Sequence, residues 1–388
     1  MSARVFFYVQ HLLGIGHLRR AALIARALAR QDFAVSFVSG GSPVADLDLA
    51  GGELVQLPPA LSADAQFSAI LDEHGHPIGD AWRARRRQIL LDEFAGRKPD
   101  LLLIEMFPFG RRQFAFELQP LLAAAKASAI PVAVSLRDIL VAKSKPARIA
   151  ETLALVNRYV DAVLVHGDPN LVRLEATFPA AGEIARQIVY TGYVAEAPNP
   201  AARPAAEGEE ILVSAGGGAV GGPLLRAALA ARPATRAAHA PWRLIAGPNL
   251  PEGEFAGLAA DLPPGVNLER FRGDFPVLMA RSRLSISQAG YNTVMDILSG
   301  GARALVLPFA EGGESEQTLR ARLLAARGLL SVVEAPFEPR SLAVAIDAAL
   351  ARPRPPAGNI DLDGANASAR YLGKLLGLAA RPAGAGRR

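Results

Sequence analysis

Leu284–Gln317 reads LSISQAGYNTVMDILSGGARALVLPFAEGGESEQ. The run Leu284–Ser287 has the length and character of a buried strand. A polar turn, Gln288–Asn292, leads from it into a helix with Thr293 near its start. The N–H groups of a helix's first turn have no partner inside the helix, so amides and a hydroxyl together favour an anion there. Asp296 follows three residues later, on the same helix face as Thr293. One side of this helix can thus offer amides and a hydroxyl to a diphosphate and a carboxylate to a ribose diol. A second strand, Ala304–Leu307, then stops at Pro308, and an acidic loop closes on Glu316-Gln317, side chains suited to sugar hydroxyls.

The same alternation of short apolar runs and helical stretches extends over the rest of the chain, the pattern of buried parallel strands. In the first half it predicts strands at Val5–Gln10, Ala34–Ser39, Leu101–Glu105, Val132–Leu136, Ala162–Val165 and Ile188–Thr191, with a helix over Arg19–Arg30. After Val194–Glu210, rich in Pro, Ala and charge, strands restart at Ile211–Ser214, Arg243–Ala246, Val266–Leu268, Leu284–Ser287, Ala304–Leu307 and Leu330–Val333. A chain of 388 residues is long enough for two cores. The expectation is α/β: two doubly wound, Rossmann-like domains over residues 1–195 and 211–355, a linker over 196–210, and a late helix with a disordered tail over 356–388. In such sheets ligands bind beyond the carboxyl ends of strands, so an interdomain cleft is the expected site.

Hydrophobic residues make up 51% and charged residues 20%, a globular composition. With no cysteine there are no disulfides and no thiol-ligated metal. The opening apolar run is too short for a signal peptide, and no run of about 18 apolar residues spans a membrane, so a cytoplasmic protein is expected. Net charge is +5, but the arginines are scattered and no aromatic-basic stripe marks nucleic acid as a partner. Trp82–Phe94 mixes basic and apolar residues, as a membrane-surface helix or a solvated amphipathic helix does, which leaves peripheral contact with the inner membrane face open.

Two glycine loops follow predicted strands. The first holds Gly14 and Gly16 before a helix; a dinucleotide fingerprint needs a third glycine where Arg19 stands. His17 tops this loop, either as a general base for a hydroxyl or as a packing residue. Arg19 and Arg20 bind phosphate or cover a helix face. Glu105, Arg137 and Asp138 end first-domain strands on the acceptor side, and Glu105 or Asp138 is placed to orient His17. The second loop, Ser214-Ala215-Gly216-Gly217-Gly218, is a diphosphate cradle or a close-packing turn. Asp46/Asp48, Asp361/Asp363 and His74/His76 follow no clear buried strand and read as solvated loops, so no metal site is expected.

QAGYNTVMD resembles the nucleotide-sugar box of UDP-glycosyltransferases and the corresponding segment of glycosyltransferase family 28. The resemblance implies a GT-B fold and metal-independent, inverting transfer of a sugar from a nucleoside diphosphate sugar, with no other cofactor. It places Gln288, Gly290, Asn292 and Thr293 on the diphosphate, Asp296 on the ribose and Glu316-Gln317 on the donor sugar. Phe271, in Phe271–Phe275, corresponds to the stretch against the base, and Ser214, Gly216, Gly217 and Gly218 to the second glycine loop. Asp296 is one carbon shorter than the family's glutamate. The first loop agrees with the family only at Gly16-His17; its G-x-G-H-x-x-R is similar to a nucleotide-sugar hydrolase of pseudaminic acid synthesis. Transfer to a sugar, lipid-linked or small-molecule acceptor in cell-envelope or polysaccharide synthesis is therefore the leading expectation, with hydrolysis or UDP-N-acetylhexosamine epimerisation as alternatives.

Overall fold

The computed structural model describes residues 2–12, 15–45, 47–64, 69–140, 145–196, 208–216, 221–309, 316–335, 338–356 and 360–378. Gly14, Gly217, Gly218 and Asp46, and most of the expected linker, lie outside these residues. The chain forms two compact units, 1–194 together with 363–388, and 195–362.

The first unit holds strands β1 (Arg4–Val9), β2 (Ala34–Ser39), β3 (Glu53–Gln56), a short antiparallel pair β4 (Leu61–Ser62) and β5 (Ile70–Leu71), then β6 (Leu101–Glu105), β7 (Val132–Arg137), β8 (Ala162–His166) and β9 (Ile188–Tyr190). Helices α1 (Gly16–Arg30), α2 (Asp80–Arg97), α3 (Ala115–Ala127) and α4 (Pro146–Tyr159) connect them. Seven strands form a parallel sheet in the order β3-β2-β1-β6-β7-β8-β9. Strand pleating sends alternate residues to opposite faces. Phe6, Tyr8, Leu102 and Ile104 therefore face one core, and Val5, Phe7, Leu101 and Leu103 the other. Edge strand β3 escapes the sequence reading because only Val55 of its four residues is buried, too little for an alternation. The order reverses between β1 and β6, whose register pairs Tyr8 with Ile104, so Glu105 ends β6 at the switch point. Such a reversal opens a crevice above the sheet for a ligand.

The second unit holds β10 (Ile211–Ser214), β11 (Trp242–Ile245), β12 (Val266–Glu269), β13 (Leu284–Gln288), β14 (Ala304–Leu307) and β15 (Ser331–Val332). Its helices are α5 (Gly222–Ala231), α6 (Glu252–Ala260), α7 (Phe275–Arg281), α8 (Tyr291–Gly300), α9 (Glu316–Ala326) and α10 (Pro339–Ala351). The parallel order is β12-β11-β10-β13-β14-β15, and the reversal falls between β10 and β13, where Ser214 pairs with Ser287. The second glycine loop and the Gln288–Thr293 turn therefore leave the sheet side by side.

The last helix, α11 (Gly364–Leu375), corrects the expected division. It is part of the first unit and packs on α1, with Ala369 and Leu372 in the core there. The sequence pattern places this helix at Ala367–Leu378, and it starts three residues earlier. Asp363 opens it by accepting from the Asn366 amide and the Arg370 guanidinium, at 2.6 and 2.8 Å. Gly364 is required by proximity, since a Cβ there would lie 2.3 Å from the Gly192 carbonyl oxygen. On α2, Leu90 and Phe94 are buried in the core, and Trp82, Ile89 and Leu91 pack against it while partly exposed. Among the described residues no helix is long and apolar enough to cross a membrane.

Candidate functional site

In the first unit, β1 leads through its loop into α1, whose N-cap Ile15 supplies no side-chain hydrogen bond. The first-turn amides are left open for a ligand. His17 is the second residue of α1, and helical spacing sets Arg20 one turn later on the same face. Both meet Glu105, the fully buried last residue of β6. Its Oε1 lies 2.6 Å from His17 Nδ1 and accepts from Arg20 Nη2 at 2.5 Å. A carboxylate can only accept, so Nδ1 carries the imidazole proton and Nε2 keeps its lone pair. Burial lowers the His17 pKa to about 4; Glu105 opposes this, and Arg111 and Arg20 add to it. The Glu105 carboxyl is held at about 2: His17, Arg20 and Arg111 outweigh the burial that would raise it. The resting pair is a neutral imidazole, 22% exposed, on an ionised carboxylate. That is the protonation state of a general base held in one tautomer.

Other first-domain expectations divide. Gly16 and Arg19 are exposed at the start of α1. Arg137 ends β7, partly buried. Asp138 does not orient His17: it is wholly buried and accepts from the Tyr193 hydroxyl at 2.8 Å, a structural contact. Three features carried no sequence signal. His11, just past β1, is 4% exposed and its Nδ1 has no hydrogen-bond partner. Arg111, in the loop after β6, likewise has an unpartnered buried Nε. His166, at the end of β8, bridges Ser135 and Thr191 at 2.8 Å each, and burial pushes its pKa down to about 3. Deeper, Arg86 makes a bidentate pair with Glu117 and bonds Gln10, which fixes the end of β1.

In the second unit, Ser214 and Gly216 follow β10 and Gln288–Asp296 follow β13, the two strands at the switch point, while Phe271 follows edge strand β12 and Glu316-Gln317 open α9. Gly216 has φ +74, a conformation that suits glycine, and a Cβ there would lie 3.7 Å from the Gln288 side-chain oxygen. Ser214 is 3% exposed, and its hydroxyl oxygen accepts from the Gly216 N–H at 3.3 Å, so it shapes the loop. Gly290 is the N-cap of α8 and has no side chain to satisfy the first-turn amides. Gln288, Gly290, Asn292, Thr293 and Asp296 are all partly exposed. Glu316 departs from expectation: it is 4% exposed and accepts from Arg320 at 2.7 Å, one turn along α9. Arg320 also lies over the Tyr291 ring at 5.1 Å, which ties α9 to the start of α8. The Gln317 side-chain oxygen accepts from the Phe309 N–H, which leaves its amide nitrogen for a ligand. Phe271, beyond β12, exposes 62% of its surface, an open ring for stacking. The remaining aspartates are engaged: Asp48 pairs with Arg26 and Asp363 with Arg370.

Residues 251–361 match the model of the glycosyltransferase family 28 C-terminal domain. That match lies within the second unit. A stretch of 100 residues is 32% identical to a UDP-N-acetylglucosamine–N-acetylmuramyl-(pentapeptide) pyrophosphoryl-undecaprenol N-acetylglucosamine transferase of Rhodospirillum centenum. That stretch covers 26% of this chain and 25% of the relative, so the chain matches about a quarter of the relative's length. Solved structures extend the likeness to the whole fold. MurG of Acinetobacter baumannii superposes with a TM-score of 0.61 at 16% identity, over 97% of this chain and 99% of that one. The calicheamicin glycosyltransferase CalG4 gives 0.60 at 16%, over 97% and 96%. The spinosyn rhamnosyltransferase SpnG with thymidine diphosphate gives 0.57 at 17%, over 97% and 96%. The fold is GT-B, as the family 28 resemblance implied.

Proposed function

We propose that this GT-B protein is an inverting glycosyltransferase that moves a sugar from a nucleoside diphosphate sugar, a UDP-sugar in the simplest case, to an acceptor hydroxyl. The observation that carries the reading is that each unit has a site at its own switch point. One is a neutral histidine locked by Glu105 in the first domain; the other is the uncapped start of α8 beside Gly216 in the family 28 domain. The family 28 domain holds the donor: amides of Gly290–Thr293 and the second glycine loop take the diphosphate, Asp296 the ribose, Phe271 the base and Gln317 the sugar. His17 Nε2 takes the acceptor proton as the acceptor oxygen bonds to the anomeric carbon. The bond from that carbon to the diphosphate breaks, and the nucleoside diphosphate leaves with the electron pair. Helix-start amides stabilise the leaving charge, so no metal is needed.

The printed name of the Rhodospirillum relative describes a lipid-linked acceptor. An acceptor of that kind would bring this protein to a membrane surface, to which α2 offers its exposed arginines Arg83, Arg85 and Arg87. The test is a product assay. Wild-type protein is incubated with UDP-sugars, first in water alone and then with a panel of sugar, lipid-linked and small-molecule acceptors. UDP release that depends on an acceptor, with sugar of inverted anomeric configuration on it, is the expected result. Stoichiometric free sugar without acceptor would replace transfer by hydrolysis.

A further inference from the structure

We infer that the acceptor carries an oxyanion, a carboxylate or phosphate, near its reacting hydroxyl, and that Arg111 recognises it. This rests on reading the first domain as the acceptor side.

Arg111 follows β6 in the loop Met106–Arg111, with a left-handed backbone (φ +57) that is unusual for a residue other than glycine. Among the described residues its guanidinium makes no hydrogen bond or ion pair, and its Nε is buried. Burial depresses its pKa, while Glu105, Arg137 and Arg20 lie within electrostatic reach. His11 is within reach of the same cation, and its buried Nδ1 is also without a partner. Buried polar groups are as a rule satisfied; here Arg111 Nε, His11 Nδ1 and Glu105 Oε2 all lack a hydrogen-bond partner, and such a neighbourhood marks a place that a ligand completes.

Charge decides the class of ligand. The charged groups that act on Arg111 are two further guanidiniums, Arg20 and Arg137, and a single carboxylate, Glu105. Arg20 and His17 both bond Oε1 of Glu105, and among the described residues Arg111 bonds no carboxylate. A guanidinium offers only donors in a planar fork that matches a carboxylate or a phosphate, and it cannot shed its proton. A neutral sugar hydroxyl would leave the charge uncompensated.

The same contact reaches the chemistry. The groups that act on His17 are Glu105, which raises its basicity, and Arg20 and Arg111, which lower it. An oxyanion on Arg111 cancels one of the two opposing charges. The acceptor then meets a stronger base than a molecule lacking the anion does, so recognition acts on kcat as well as KM.

The experiment follows the imidazole signals of His17 by NMR in the full chain while pH is varied, with inorganic phosphate or acetate as probe. Binding should raise the His17 titration midpoint in the wild type. A response to phosphate alone indicates a phosphate-bearing acceptor, and a response to acetate a carboxylate. Arg111→Gln should weaken the response at least tenfold, and Arg111→Lys should keep part of it. No response to either probe in the wild type, or an undiminished response in Arg111→Gln, overturns the proposal. The wild-type arm holds even if a variant fails to fold. Because the readout is binding, an intact response in a protein that transfers no sugar would discard the transferase reading and keep the anion site.

Discussion

His17 and Glu105 come from segments 88 residues apart, yet the sequence made their meeting legible: one follows the first buried strand, the other ends the strand across the switch point. Arg111 and His11 were not legible, because irregular loops have no period that brings one side chain to another. A general base contributes about 10²–10⁴-fold to a rate. His17→Ala should lower kcat by that order in the acceptor assay and leave UDP affinity, measured by calorimetry, unchanged. The acid limb of kcat should lie near the lowered His17 pKa of about 4, not near 6.5, because transfer needs the neutral imidazole and fails as pH falls through that value. Stability carries the same sign. Between pH 6.5 and 4 the unfolded chain protonates His17 and the native one does not, so stability falls with pH across that window. Glu105 extends the loss downward from about 4.5 to about 2. Denaturant midpoints of His17→Ala should vary less over the upper window than those of the wild type.

Among elements, α8 and the loop beneath it bind by backbone, and this separates two substitutions. Asp296→Ala removes a charge-assisted hydrogen bond to the ribose and should weaken UDP binding by about 1.5–3 kcal/mol, with the loop intact. Gly216→Ala forces a Cβ into a left-handed conformation, at about 1–2 kcal/mol, and should impair diphosphate binding and stability together. Equal UDP affinity in Asp296→Ala and wild type would remove the ribose assignment. Strand positions were legible to within a residue or two because their apolar runs are short and sharply bounded. A chain position does not show that the Glu316 carboxylate also pairs with Arg320 a helical turn away. The late helix α11 was read as a separate appendage, since nothing in its sequence says which core takes its apolar face. Leu372 lies wholly in the first domain's core. Leu372→Ala should cost about 2–5 kcal/mol in that domain, visible as early melting of first-domain amides in hydrogen exchange with the second domain's unchanged.

For the molecule as a whole, the two parallel sheets reverse their strand order at the same step, between the first strand and its crossover neighbour. That repetition made the architecture readable, since each half announced itself by one strand, one glycine loop and one helix. The proposed chemistry uses amides and a histidine, so activity should survive chelation by EDTA; loss restored by Mg²⁺ or Mn²⁺ would argue for a metal-dependent mechanism. The chain also leaves the first unit at residue 194 and re-enters it at 363, so the second unit is, in connectivity, an insertion within the first. A ribosome thus releases the whole second unit while the N-terminal sheet still waits for α11. The part made first is closed last, and the nascent chain must carry α1 without its α11 partner through the synthesis of 168 further residues, Ala195 to Leu362. During that interval the N-terminal half lacks the packing that α11 gives it, and its apolar α1 side is open to other contacts until residue 364 and those after it are made.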